Sequence, residues 1–401
     1  MEGRYRNHQE CQKSLENIFS FLSFGGTFHQ NNISGRAYCT LVTIFMCACS
    51  LQAIVSTVYN LEDVSKAAGA MYHANFFSFI VLANLTSLAY PEMMNTIRIE
   101  TTFSYDYDSE VMRDLKEKLI WSRKEKHWYI IVKIFRFWTT FAISSIFVSG
   151  VVDKYSGKAR YLQIYDAWYP SFLDQENFLV ELLMYFFHLT ATTCAAFGCY
   201  ITLLTVYFYY VHLTTELLIL QEAIFNISNR ANEIGEKEEI NLCLAYRKAL
   251  KMCVEHYMLL IKYYLTVKRV LVIYCTYSYI SGTLLLVCTA IIFLSGNEAA
   301  IGKFVVINIS QMTYFFFMSW FGEELVRKNE LVNQALFEMD WQELPKNCIS
   351  NYKTFLILSQ KPLNITMFIG QQVNLDGFMT LIKGSYSYFN MVYATTREKN
   401  N

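Results

Sequence analysis

The feature that most constrains this chain is a set of long stretches without any Lys, Arg, Asp or Glu, at 37–61, 67–91, 137–152, 182–215, 270–297 and 304–322. A bilayer's hydrocarbon core is about 30 Å thick and takes about 20 residues of helix. Backbone groups inside it must be bonded within the segment, so these runs read as membrane-spanning helices. The third run is short, but 128–135 lengthens it if Lys133 and Arg136 reach their charges to the headgroups. A weaker seventh span, 373–395, is interrupted only by Asp376 and Lys383. All four prolines, Pro91, Pro170, Pro345 and Pro362, lie outside these spans or at their edges, so no span needs a proline kink.

Composition agrees: 54% hydrophobic against 17% charged residues is too apolar for an ordinary soluble domain. The 34 basic and 34 acidic residues balance, which removes the basic surplus a nucleic-acid partner would need. Of the 11 cysteines, Cys39, Cys47, Cys49, Cys194, Cys199, Cys275 and Cys288 fall inside the apolar runs and read as small hydrophobes. None has histidines or carboxylates at metal-ligand spacing, so no metal and no cofactor is expected. The N-terminal segment lacks the short basic, apolar and small-residue pattern of a cleavable signal.

Basic residues set the orientation. The N-terminal segment and connections 92–127, 216–269 and 323–372 carry 24 Lys or Arg, and the other side carries 7. The expected fold is therefore an all-α membrane protein with seven transmembrane helices, a cytosolic N-terminus, an extracellular C-terminus and a cytosolic helical anchor region. The expected divisions are a cytosolic segment 1–36, spans one to six over 37–322, anchor helices 323–372, and a last helix with a short extracellular tail over 373–401. Leu325, Leu331, Val332, Ala335, Leu336 and Met339 share helical spacing, which extends the sixth span as an amphipathic helix. The fourth span overshoots the membrane. With 216–225 and a helix over 250–267 it builds either a cytosolic bundle or amphipathic helices lying on the lipid surface.

The sequence Leu381-Ile382-Lys383-Gly384-Ser385-Tyr386-Ser387-Tyr388-Phe389 resembles the last-helix signature of insect odorant receptors. Before it, Trp320, Gly322-Glu323-Glu324-Leu325, Trp341, Leu344-Pro345 and Leu358-Ser359-Gln360-Lys361-Pro362 follow that family's order from sixth to seventh helix. The resemblance implies a subunit of an odorant-gated cation channel in the plasma membrane of olfactory neuron dendrites. It further implies four subunits, including a shared co-receptor subunit, around a central pore lined by the last helices. The partners implied are that co-receptor, a volatile odorant, membrane lipid and permeant cations.

On this reading Met391 occupies the gate position, and Gly384, Ser387, Tyr388, Ala394 and Thr395 share its face at helical spacing. A stripe of small and polar residues broken by an apolar constriction suits a water-filled path that closes by dewetting. Close helix packing explains Gly and Ser equally well. Lys383 projects off that stripe and reads as a structural contact.

The odorant pocket is expected in the outer halves of spans two, three, four and six, mostly apolar with a few orienting polar groups. Its candidates are Tyr72, Asn75, Phe76 and Phe79; Ser144, Ser145 and Val148; Met184, Tyr185, His188 and Thr192; and Ile307, Asn308, Gln311 and Tyr314. Aromatic faces at helical spacing are more often packing than pocket, so the cluster carries more weight than any member.

A G-protein-coupled receptor is disfavoured by the inverted charge bias, by the missing Asp/Glu-Arg-Tyr and Asn-Pro-x-x-Tyr motifs, and by an outer loop, 153–177, without cysteine. No pair of Gly/Pro-broken spans suggests a transporter. His188 and His212 have no nucleophile or acid at a recognisable spacing, so no enzyme is expected. A gustatory receptor channel is the nearest rival. Its last-helix Thr-Tyr, five residues, Gln-Phe pattern departs here to Ser387-Tyr388 followed by Ala394-Thr395.

Overall fold

The computed structural model describes residues 33–92, 94, 104–120, 123, 126–155, 157, 161–162, 164–165, 167–170, 173, 176–294 and 298–400. The expected N-terminal segment lies almost wholly outside them. The described chain is helical, and its extended pairing is confined to one antiparallel bridge between Thr366 and Gln372. The helices are α1 (Ile33–Tyr59), α2 (Val64–Ala89), α3 (Glu110–Ile120), α4 (Lys126–Tyr155), α5 (Phe178–Phe225), α6 (Ile227–Glu238), α7 (Leu242–Leu294), α8 (Glu298–Glu338), α9 (Ile349–Ser359) and α10 (Leu375–Asn400).

Three described segments have the length and apolarity to cross a membrane by themselves: Gly35–Tyr59, Phe178–Phe225 and Leu242–Leu294. Helices α2, α4, α8 and α10 are long enough, with 26, 30, 41 and 26 residues. Within their spans α2 carries His73, Asn75 and Asn84, α8 carries Asn308 and Gln311, and single lysines, Lys133 and Lys383, fall inside α4 and α10.

At 48 and 53 residues, α5 and α7 are roughly 70 and 80 Å long, more than twice the hydrocarbon thickness. Both therefore continue into a helical bundle at one end. The separate helix expected over 250–267 is instead continuous with the span after it. Lys262, Lys268 and Arg269 interrupt the apolar run without a helix-breaking residue, so charge ends the membrane segment but not the helix.

The larger core lies in that bundle. Leu213, Leu217 and Leu220 of α5, Ala249, Leu250 and Cys253 of α7, and Leu325, Val332, Ala335 and Leu336 of α8 are fully or almost fully buried together. This burial is what the amphipathic spacing after Gly322 requires. Arg230 of α6 is also fully buried. Its guanidinium donates to Ala223 O at 2.9 Å and Cys253 Sγ at 3.2 Å and stacks over Tyr107 at 4.3 Å. The smaller core, at the opposite end, joins α1, α2, the first half of α5 and the last third of α7 through Met46, Tyr72, Phe77, Phe79, Tyr185, Ala191 and Leu285.

Residues 360–374 form a strap between α9 and α10. The Val373 amide donates to Ile365 O at 2.9 Å and the Met367 amide to Gln371 O at 2.8 Å, closing a turn at Gly370, whose φ is +82°. The Phe368 amide donates to Thr276 Oγ1 of α7 at 3.1 Å. Asn329 of α8, 2% exposed, donates to Ser359 O at 3.2 Å and Lys361 O at 3.1 Å while Tyr257 donates to it at 3.2 Å. At Gly322 an added Cβ would lie 1.9 Å from Val373 O, so α8 meets the strap at van der Waals contact only because that position has no side chain.

Candidate functional site

Two neighbouring groups of candidate pocket residues assemble around the smaller core. In the first, Asn75 of α2 donates through Nδ2 to both Ser281 O and Ser281 Oγ of α7, each at 2.9 Å. One helical turn along, Phe79 stacks on Tyr277 with ring centroids 5.8 Å apart and meets the Tyr314 edge at 6.2 Å. Tyr314 in turn lies 3.4 Å from Ser278 Oγ through its hydroxyl. Asn308 donates to Thr289 Oγ1 at 2.7 Å, further along the α7–α8 contact. Gly282 lets Phe315 pack against α7, since an added Cβ would sit 2.1 Å from that ring.

The second group centres on His188 of α5, which has no exposed surface. Its Nε2 lies 3.2 Å from Gln52 Oε1 of α1, and the Tyr169 hydroxyl lies 3.3 Å from its Nδ1. The Tyr165 ring stacks on it at 4.6 Å and also on His73 of α2 at 4.4 Å. Thr192, one turn along α5, is 2% exposed. Tyr185 donates to Phe147 O at 2.9 Å and ties α5 to α4.

Of the expected residues, Tyr72, Asn75, Phe79, Tyr185, His188 and Thr192 are buried, while Phe76, Met184, Asn308, Gln311 and Tyr314 are half-buried. On α4, Ser144 is exposed and Val148 is 54% exposed. The side chains of Ser145 and Ile307 lie outside the described residues. Sequence reasoning overlooked the α7 partners Tyr277, Ser278, Ser281 and Thr289, together with Gln52, Tyr165 and Tyr169. The α7 residues had a readable signal, since Tyr274, Ser278, Ser281 and Leu285 recur at helical spacing. The others lie on the first span and a non-helical segment, where periodicity says nothing of which side chains turn inward.

Along α10, Ser387, Tyr388, Met391 and Ala394 are exposed, with Tyr388 at 51% and Met391 at 57%; the Thr395 side chain lies outside the described residues. Gly384 is half-buried and borders a groove of about 170 Å³ between α7 and α10, shared with Tyr279, Thr283, Gln371 and Thr380. Lys383, read from the sequence as a structural contact off that stripe, is exposed. Among the described residues no group of three His, Cys, Asp or Glu is arranged to hold a metal ion, and the described cysteines are free thiols.

The arrangement offers aromatic faces, amides and hydroxyls in a mostly apolar setting, which suits recognition of a small apolar molecule with a few polar atoms. Solved structures share the fold, among them two of one insect receptor. The insect olfactory receptor OR5 from Machilis hrabei superposes with a TM-score of 0.78 at 12% identity, covering 96% of this chain and 99% of that one. The same receptor in complex with eugenol superposes with a TM-score of 0.79 at 12% identity, covering 97% and 100%. No curated protein matches the sequence. The family model described as 7tm Odorant receptor matches residues 78–386, most of the chain, and the protein therefore belongs to the 7tm odorant receptor family.

Proposed function

We propose that this protein is the odorant-binding subunit of a non-selective cation channel, which assembles with a shared co-receptor into a tetramer in the plasma membrane. The N-terminus and the α5–α9 bundle lie in the cytosol and the C-terminus outside, as the excess of basic residues supports. The observation that supports the reading is a continuous line of packing from the candidate pocket to the last helix. Helix α8 bears Tyr314 in the candidate pocket and, two turns on, Gly322 against the strap that leads into α10. A ligand that displaces α8 therefore acts on the helix whose exposed Ser387–Met391 face is offered to the other subunits.

The ligand is a volatile of mainly apolar character, and the eugenol complex of the Machilis hrabei receptor supports a small-molecule ligand of that kind. Burying ten carbons contributes about 8 kcal/mol before ordering costs, so binding is micromolar or weaker. One methylene changes affinity by only about 1–3 kcal/mol, which makes tuning graded. Coexpression with the co-receptor and a panel of esters, alcohols and terpenoids tests the proposal. Odorant-evoked inward current that requires both chains is expected. Current from this chain without the co-receptor would overturn the co-receptor requirement and leave a channel formed by this chain alone.

A further inference from the structure

The segment between α4 and α5 places a tyrosine inside the smaller core. Ile164 and Tyr165 are 1% and 6% exposed, although neither lies in a helix. The segment is fastened at Trp168, whose amide donates to Ser56 Oγ at 2.8 Å and whose carbonyl accepts from Gln52 Nε2 at 3.5 Å. The Tyr165 ring is held between the imidazoles of His73 and His188, at 4.4 and 4.6 Å and nearly parallel to both. Among the described residues, the contacts that hold Tyr165 act on its ring, and the nearby backbone is tied down at Trp168. The Tyr165 hydroxyl is shielded from water and makes no hydrogen bond among the described residues.

The same holds for the Thr192 hydroxyl, one turn from His188 on α5. Buried hydroxyls without partners are uncommon in folded proteins, because each was hydrogen-bonded to water in the unfolded chain. A purely structural tyrosine at this position would be served as well by phenylalanine, since the stacking uses only the ring. Both hydroxyls can donate and accept, so an oxygen atom of a ligand satisfies either one.

We propose that Tyr165 is a specificity-determining residue of the odorant site, selecting volatiles that carry a hydroxyl or carbonyl oxygen over hydrocarbons of the same skeleton. The inference rests on the odorant-binding reading above and adds the chemical class of ligand. An apolar pocket alone discriminates weakly between such pairs, whereas a buried hydroxyl left unpaired by the hydrocarbon penalises it. Thr192 supplies a second, independent hydroxyl on the neighbouring helix.

The test uses the full-length chain with matched probes: 2-phenylethanol against ethylbenzene, 1-octanol against octane, and 2-heptanone against heptane. Binding is read from the thermal shift of the solubilised protein, and gating from current with the co-receptor at matched surface expression. Wild type should favour the oxygenated member of at least one pair. Tyr165→Phe should weaken that member roughly tenfold, the worth of one hydrogen bond, and its hydrocarbon less than twofold. Thr192→Val should narrow the same ratio without the aromatic stack being touched. Equal weakening of both members, no weakening of either, or a wild type indifferent to oxygen overturns the proposal. Probe binding without current refutes the channel reading, and the binding ratios still decide the role of Tyr165.

Discussion

Replacing Gly322 by alanine tests the connection between pocket and last helix with a single methyl group. The new Cβ would lie 1.9 Å from Val373 O and 2.9 Å from Val373 C, so α8 and the strap must separate by on the order of 1 Å. The strap is poorly placed to yield, because the Val373 amide is bonded to Ile365 O and the Phe368 amide to Thr276 Oγ1. Overpacking of this kind costs about 1–3 kcal/mol, and each strap hydrogen bond given up adds about 1 kcal/mol. A total of about 2–4 kcal/mol falls on the junction itself and leaves the pocket residues untouched. Gly235→Ala is the control. Its Cβ would meet Ile240 O at an ordinary 3.5 Å inside α6, and alanine there should be neutral or stabilising by up to about 1 kcal/mol.

The assay is thermal unfolding of the solubilised protein together with odorant dose–response at matched surface expression. Gly322→Ala should unfold at lower temperature and lose coupling, with ligand binding retained but maximal current reduced. Gly235→Ala should match wild type in both. A Gly322→Ala protein as stable and as responsive as wild type would refute the argument that the α8–strap contact transmits the pocket's state.

Other substitutions probe the pocket, the last helix and the α8 ion pairs. Tyr72→Ala, His188→Ala and Tyr314→Ala should each shift odorant sensitivity while assembly survives; three unchanged dose responses at the surface would place the pocket elsewhere. Met391→Ser should raise basal current by weakening the apolar constriction, with Lys383→Met as a contrasting control that leaves permeation unchanged. Altered permeation in the lysine variant alone would mean that the conducting face of α10 is the other one. Although burial acts to raise the Glu324 pKa, hydrogen bonding from Arg327 and the charges of Lys328, Arg327 and Arg123 hold it below the usual carboxylate range. A depressed folded-state pKa means the stabilisation is present above the unfolded value and fades as pH falls through the folded one. Glu324→Gln should therefore lower the unfolding temperature at pH 7, and that difference should shrink below about pH 4.5; a pH-independent difference would count against the ion pairs.

Much of the architecture was legible in the chain because a bilayer imposes a length and a forbidden chemistry on each span. Charge-free runs located α1, α2, α5 and the apolar part of α7, and the helical spacing of Leu325, Val332 and Leu336 marked the continuation of α8. The short helices α3 and α6 escaped notice, since their buried residues are few: Met112 in one, Ile227, Arg230, Ala231 and Ile234 in the other. The strap was equally hidden. It is held by backbone amides and carbonyls meeting Thr276, Tyr264, Lys268 and Asn329, and backbone partners leave no periodic trace. At the candidate site, the aromatic faces of α2, α5 and α8 were visible as helical stripes. Tyr165 and Gln52 were not, because their inward placement depends on the bonds that tie Trp168 to Gln52 and Ser56 of α1.

Single-channel recording of this chain and the co-receptor, purified and reconstituted in a planar lipid bilayer without nucleotides, decides whether the two together form the proposed odorant-gated cation pore. Unitary cation currents should open when an activating volatile is added and be absent when either chain is omitted. A bilayer that stays silent under every volatile that binds the purified chain, with responses recovered only in cells supplying G proteins, would contradict the proposed pore.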